Sequence, residues 1–269
     1  MNGKVDYGNW VPKKMLRTSY LVILFLAAVI GAAFSRLTGA LNPELVLFLR
    51  VVSILAECFM LCLSGYFTIS YHLFSYTGKY KIQERIVDYV VGQLNMADEN
   101  GKILDIGCGS GAVSIKTAKK FPHARLTSID YWGRSWDYAK QQCEQNARIE
   151  GVDDRITFKK GDAAALAFPD ESFDGAISNF VFHEVAAQPD KRLVVKEALR
   201  VVKKGGSFVF HDLFLDESLY GSLEELAEEL RKEGISRVGI TKTADILKIP
   251  ALLKTRFMIG KIALLYGQK

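Results

Sequence analysis

Apolar and polar positions divide the chain into two unlike parts. From Tyr20 to Phe34 it reads YLVILFLAAVIGAAF, without a charge. Crossing the ~30 Å hydrocarbon core of a bilayer takes roughly 17–25 residues, and Thr18, Ser19, Ser35 and Leu37 extend the stretch to that length. A second apolar segment, from Leu45 to about Phe74, is longer and carries Arg50 and Glu57. Asn42-Pro43 between the two reads as a turn and a helix start. The pattern predicts an α-helical membrane hairpin in residues 1–75, with spans at about 18–37 and 45–71. Three other readings stay open: a cleaved secretory signal, with Lys13, Lys14 and Arg17 ahead of the apolar run and Gly31-Ala32-Ala33 after it; two buried helices of a soluble helical cap; or a second segment lying in the interface because of its charges.

Beyond Gly78 the pattern changes to that of a water-soluble domain, residues 76–269. Ile82, Ile86, Val90 and Leu94 recur at helical spacing. Short apolar runs then alternate with amphipathic helical segments. The predicted strands are Lys102–Gly107, Arg125–Tyr131, Ile156–Asp162, Phe173–Phe180, Ser207–Leu213 and Lys261–Tyr266, with a weaker one at Arg237–Thr241. The predicted helices are Ala112–Lys120, Ser135–Glu150, Lys191–Val202 and Ser222–Lys232. This alternation implies an α/β domain with a mostly parallel seven-stranded sheet covered by helices on both faces.

Composition changes the picture in three places. The mean hydropathy of +0.09 is high for a soluble enzyme, and its source is the front of the chain. The four cysteines among 269 residues make no disulfide framework, and no Cys/His spacing suggests a metal. The net charge of +5 is too small to argue for nucleic acid. The basic residues are placed tellingly, however. Lys4, Lys13, Lys14 and Arg17 precede the first span, and Lys79, Lys81 and Arg85 follow the second. The loop between the spans holds only Arg36, with Arg50 just inside the second span. The positive-inside rule puts both termini in the cytoplasm. Arg50 and Glu57 share one helix face. Arg50 would snorkel to the interface, and Glu57 would be a shielded charge, a self-association contact or the lining of a lipid-accessible pocket.

The chemistry gathers after the first strand of the soluble domain, at Asp105-Ile106-Gly107-Cys108-Gly109-Ser110-Gly111. Glycines there permit a tight turn and a close approach of backbone to a ligand, and ligands of open α/β sheets bind beyond the carboxyl ends of the strands. The spacing is GxGxG, not the GxGxxG of dinucleotide folds, and no GxxxxGK[ST] is present.

At these residues the chain resembles the class I S-adenosylmethionine-dependent methyltransferases, whose fold is Rossmann-like. The glycine loop, Asp105, Gly107, Cys108, Gly109 and Gly111 included, matches their first motif. Asp130, followed by Tyr131, stands where the family places an acid on the ribose hydroxyls. Asp162 and Ala163 stand where a carboxylate and a backbone amide meet adenine. Phe173 to Phe180 resembles the fourth motif, which places Asn179 and Phe180 beside the transferable methyl. The resemblance covers residues 76–214 best, and FPDESFD and SNFVFHEV are most similar to the small-molecule and quinone-pathway branch. It implies S-adenosylmethionine as cofactor and a small acceptor, lipophilic if the hairpin holds the site at a bilayer. A soluble acceptor and a catalytically silent cofactor-binding protein are the alternatives. His183 is the first choice of general base, its ordinary pKa lying near neutrality; His211 with Asp212 is the second, and Asn179 a group for alignment. Cys108 reads as a small filler. Trp132 and Trp136 would pack near adenine, and Tyr76, Lys79 and Tyr80 would cover the cofactor.

Overall fold

The computed structural model describes residues 3–35, 42–76, 78–97, 99–132, 140–246, 248–256 and 258–269. The chain forms two compact units. One is Asn9–Gln83; the other joins Met1–Gly8 to Glu84–Lys269.

In the first unit α1 spans Lys13–Ala33 and α2 spans Pro43–Phe74. Pro43 opens α2 at a position where its missing N–H costs nothing, and the Asn42 side chain caps the helix by accepting from the Glu44 N–H at 2.8 Å. The helices run antiparallel, as two contacts at opposite ends show. Near the start of α1 the Tyr20 hydroxyl meets Thr68 Oγ1 at 2.6 Å. At its far end Arg50 Nε donates to the Ala33 carbonyl at 2.9 Å, and the guanidinium lies 4.5 Å from the centre of the Phe34 ring. Arg50 therefore donates to a carbonyl in the last turn of α1, a role the sequence pattern did not suggest. Both helices are long and apolar enough to cross a membrane by length and composition. Arg36 and Leu37 lie outside the described residues.

In the second unit α3 covers Ile82–Gln93, beginning across the boundary between the units. A seven-stranded sheet follows, built from β1 Lys102–Ile106, β2 Arg125–Asp130, β3 Ile156–Lys160, β4 Phe173–Asn179, β5 Val202–Asp212, β6 Arg237–Lys242 and β7 Ala263–Gln268, in the order β3-β2-β1-β4-β5-β7-β6. The first five pair in parallel, and β7 enters antiparallel between β5 and β6. The strand order reverses between β1 and β4, so the carboxyl ends of these two strands flank a crevice. The intervening helices are α4 Ala112–Lys120, α5 Lys140–Ile149, α6 Lys191–Arg200, α7 Glu217–Tyr220, α8 Leu223–Lys232 and α9 Thr243–Ile246. Leu104 and Ile106 of β1, Phe208 and Phe210 of β5, Val194 and Val195 of α6, and Leu226 of α8 share one buried cluster. Its apolar packing holds the central strands in place.

Helix ends follow local chemistry. Asp190 caps α6 and Ser222 caps α8, each accepting a backbone N–H of the first turn. Two boundaries differ from the pattern. Helix α6 stops at Arg200, because Val202 already pairs with Phe173 at the start of β5, ahead of a register shift before Gly175. Helix α5 is described only from Lys140, since residues 133–139 lie outside the described residues.

Candidate active site

The glycine loop is held from both sides. Gly107 and Cys108 N–H groups share the Ile129 carbonyl, at 2.8 and 3.0 Å, and Gly111 N–H closes a turn onto the Cys108 carbonyl at 2.7 Å. Gly107 has φ +75°, and a Cβ there would come within 2.2 Å of Val181. Glycine at 107 thus answers both a left-handed backbone and a side chain packed against it. Cys108 is buried, its thiol pushed up by burial and by neighbouring Cys143, which donates to the Gly109 carbonyl at 2.9 Å. A buried, protonated thiol in this setting acts as filler.

Asp105 lies beneath the loop. Its Oδ2 accepts from Ser114 at 2.5 Å, while its Oδ1 is buried without a hydrogen-bond partner. Burial raises its pKa to about 7, with the Ser114 hydrogen bond opposing and the Asp130 charge assisting. Asp130, at the end of β2, accepts from the Gly109 N–H at 2.8 Å on one oxygen and from the Trp132 N–H at 2.7 Å on the other. Each oxygen keeps a lone pair, so the carboxylate fixes the loop and retains capacity for a pair of hydroxyls. Trp132 Nε1 reaches the Gly109 carbonyl at 3.3 Å. Tyr131 is exposed, with Lys160 Nζ 5.0 Å from its ring centre. Past β3, Gly161 and Asp162 line a cavity of about 180 Å³ with Ile129, Ala165 and Phe168. Asp162 Oδ1 holds the Ala164 N–H at 2.8 Å, and Ala163 is half-buried beside it. Trp136 lies outside the described residues. Tyr76, Lys79 and Tyr80 belong to the unit Asn9–Gln83.

Across the crevice, β4 and β5 bring together two residues that the sequence offered as rivals. His183 Nδ1 meets Asp212 Oδ1 at 2.8 Å. Asp212 is fully buried and also accepts from the Val181, Phe182 and Leu213 N–H groups, at 2.9, 2.7 and 2.6 Å. Burial alone would raise its pKa; His183 and the backbone donors outweigh that and hold it below the usual carboxylate range. Burial works against a charged His183, but the hydrogen bond and charge of Asp212, with Glu184 adding, raise its pKa above the ordinary value. The Tyr220 phenol lies close by, held up by burial and by the Asp212 charge. Phe180 precedes this turn with φ +64°, a costly conformation for a residue with a side chain. Its N–H donates to the His211 carbonyl at 2.6 Å, and its ring lies 4.6 Å from that of His183.

His211 itself is not turned to the crevice mouth. It is buried, with Nδ1 at 2.8 Å from Asn179 Oδ1 and Nε2 at 2.8 Å from Thr243 Oγ1. Burial lowers its pKa to about 4, against the pull of the Asp212 charge. A neutral imidazole with both nitrogens engaged is a poor general base. Thr243 carried no signal in the sequence, being one threonine at the start of a short helix.

A glycine-tethered loop at the end of β1, carboxylates at the ends of β2 and β3, and an imidazole–carboxylate pair at β4 and β5 thus gather at the carboxyl edge of a Rossmann-like sheet. Residues 104–210 match the family model described as a methyltransferase domain. The chain is 32% identical over 159 residues to 27-O-demethylrifamycin SV methyltransferase of Amycolatopsis mediterranei, which covers 58% of this chain and 54% of that protein. It is 30% identical over 139 residues to the sterol 24-C-methyltransferase of Aspergillus fumigatus, covering 52% of this chain and 34% of that protein. The fold is similar to that of geranyl diphosphate C-methyltransferase from Streptomyces coelicolor A3(2), with a TM-score of 0.53 and 13% identity over 71% of this chain and 79% of that one. The chain spans about half the length of the first of these curated relatives and a third of the second. The match to the methyltransferase-domain model lies on the segment that runs from β1 to β5, and the similar proteins are methyltransferases.

Proposed function

We propose that this chain is a membrane-anchored enzyme that moves a methyl group from S-adenosylmethionine to a small lipophilic acceptor, with its N-terminus and catalytic unit on the cytoplasmic side. The observation that carries the reading is the crevice at the strand ends, with a cofactor cradle on β1–β3 and a His183–Asp212 pair on the β4–β5 side. The cradle fits the cofactor on its own terms. Asp105 Oδ1 is buried and unpartnered, Asp130 keeps lone pairs for ribose hydroxyls, and the cavity at Asp162 offers apolar walls. When bound, S-adenosylmethionine supplies an electrophilic methyl on a sulfonium sulfur. Asp212 fixes the proton of His183 on Nδ1 and leaves Nε2 to take a proton from the acceptor. Phe180 and Val181 shape the wall against which the acceptor aligns, and alignment lowers the barrier directly. Two features support anchoring and a lipophilic acceptor. Helices α1 and α2 leave Leu21, Leu24, Phe25, Leu47, Phe48, Leu55 and Phe59 exposed, and a sterol methyltransferase is among the similar proteins.

Calorimetry on the full chain in nanodiscs tests the cofactor. Binding is expected, with Asp130→Ala weakening it by about 1.5–3 kcal/mol through loss of a charge-assisted hydrogen bond; no binding by the unaltered protein removes the reading. Incubation with membrane extract and methyl-labelled cofactor then tests the acceptor. Label is expected in the organic phase, whereas label confined to the aqueous phase moves the acceptor to the soluble metabolites.

A further inference from the structure

Asn179 ends β4 at the centre of the sheet, paired with His211 of β5. The two nitrogens of the His211 ring each meet a side chain. Its Nδ1 meets the Asn179 side-chain carbonyl, which only accepts, so Nδ1 carries the proton. A neutral ring has one proton, so Nε2 is bare and accepts from the Thr243 hydroxyl. The low pKa of His211 agrees with a ring kept neutral. The chain Thr243–His211–Asn179 thus points one way and occupies the Asn179 carbonyl. Asn179 is half-buried, and among the described residues its Nδ2 group has no partner. With its carbonyl oxygen turned to His211, Asn179 has its Nδ2 hydrogens left for a ligand, as donors.

We propose that Thr243 and His211 fix Asn179 as a hydrogen-bond donor toward the acceptor, and that this restricts the acceptor to an oxygen nucleophile or an enolate, methylated on the oxygen or on the carbon beside it. The inference rests on the methyltransferase reading above and deepens it. The physical reason lies in lone pairs. A neutral amine has one, which must face the methyl, so nothing is left to accept from Asn179. An oxygen anion keeps further lone pairs after one attacks, and an enolate attacks through carbon while its oxygen accepts. In the oxygen case the acceptor O–H gives its proton to His183 Nε2, a C–O bond forms, and the carbon–sulfur bond breaks with its electron pair left on sulfur. His211 and Thr243 are positioning residues here, acting through Asn179.

The test uses the full chain in nanodiscs and two matched probes, an alkyl-tailed nitrophenol and the corresponding nitroaniline, titrated by absorbance. The wild type is expected to bind the phenolate at least about tenfold tighter than the aniline, as one hydrogen bond to a charged group allows. Asn179→Leu removes the preference. Thr243→Val removes the hydroxyl without changing shape, frees His211 to turn its proton to Nε2, and lowers the preference several-fold; Thr243→Ser restores it. Cofactor affinity, measured in the same samples, stays unchanged in the Thr243 variants. Nitrogen-15 spectra of the four histidines should show the ring missing in His211→Gln as the Nδ1–H tautomer. Equal binding of the two probes, an Nε2–H tautomer, or an unchanged preference in Thr243→Val overturns the inference. A protein that fails to bind cofactor yet keeps the phenolate preference sinks the methyltransferase reading and leaves the role of Asn179 standing.

Discussion

At the scale of single residues, the decisive feature is the Asp212 carboxylate, which takes four hydrogen bonds in a buried position. It stabilises the imidazolium of His183, so a rate that needs the neutral ring rises only as pH passes above the ordinary imidazole value near 6.5. His183→Ala should lower turnover by about 10²–10⁴, the range of general base catalysis, with cofactor affinity little changed. Asp212→Asn should move the rising limb of the rate profile to lower pH, because the charge that favours imidazolium is gone, and should lower turnover through loss of the Nδ1 anchor. Measured pH–rate profiles of the two variants check both signs; an unmoved limb in Asp212→Asn means the limb belongs to another group. The sequence made His183 visible through its distance from the fourth strand. It offered Asp212 as part of a rival pair with His211, because partners 29 positions apart meet only through the pairing of β4 with β5. The burial that disqualifies His211 as a base has no local signature either.

At the scale of elements, the glycine loop and the turn after β4 are one packed unit. Val181 presses on Gly107, and its own N–H is tied to Asp212. Gly107→Ala would meet Val181 Cγ and Cβ atoms at 2.2–2.8 Å, in a backbone conformation with φ +75°. Gly205 is the control, with φ +78° and nothing within 4 Å of an added Cβ. Gly205→Ala should cost only the left-handed strain, about 1–2 kcal/mol. Gly107→Ala should cost clearly more in denaturant unfolding and should also weaken cofactor binding. Equal losses at the two sites mean that backbone strain alone explains Gly107. The alternation of strands and helices was legible because each element carries its own period, and so was the helix start at Asn42-Pro43. The early start of β5 at Val202 was hidden by Lys203 to Gly206, which read as a loop between helix and strand.

At the scale of the whole molecule, the open matter is what surrounds α1 and α2. At 1.5 Å per residue, the 21 residues of α1 extend about 31 Å and the 32 of α2 about 48 Å. The first matches the thickness of a hydrocarbon core, and the second exceeds it by enough to span the headgroup region as well. Helices of this length with Leu, Phe and Val exposed on their surfaces are costly in water at about 25 cal/mol per Å² of apolar surface and stable in lipid. The two long apolar helices were legible in composition alone, since uninterrupted apolar runs of this length leave few other structures open. The Arg50–Ala33 contact was not legible, since it depends on how two helices meet. The basic residues flanking the two helices predict a topology that labelling can test. Single cysteines at Asn42 and at Lys79, in a protein whose Cys58 and Cys62 are replaced by serine, should react with a membrane-impermeant maleimide from opposite sides. Position 42 should label in intact cells, and position 79 only after permeabilisation. Labelling of both in intact cells places the catalytic unit outside the cytoplasm, and labelling of neither places both positions inside and removes the two-span hairpin. A mature N-terminus at Phe34 or beyond, read by mass spectrometry, makes the first helix a cleaved signal. Of these outcomes only the first agrees with a two-span hairpin whose catalytic unit faces the cytoplasm.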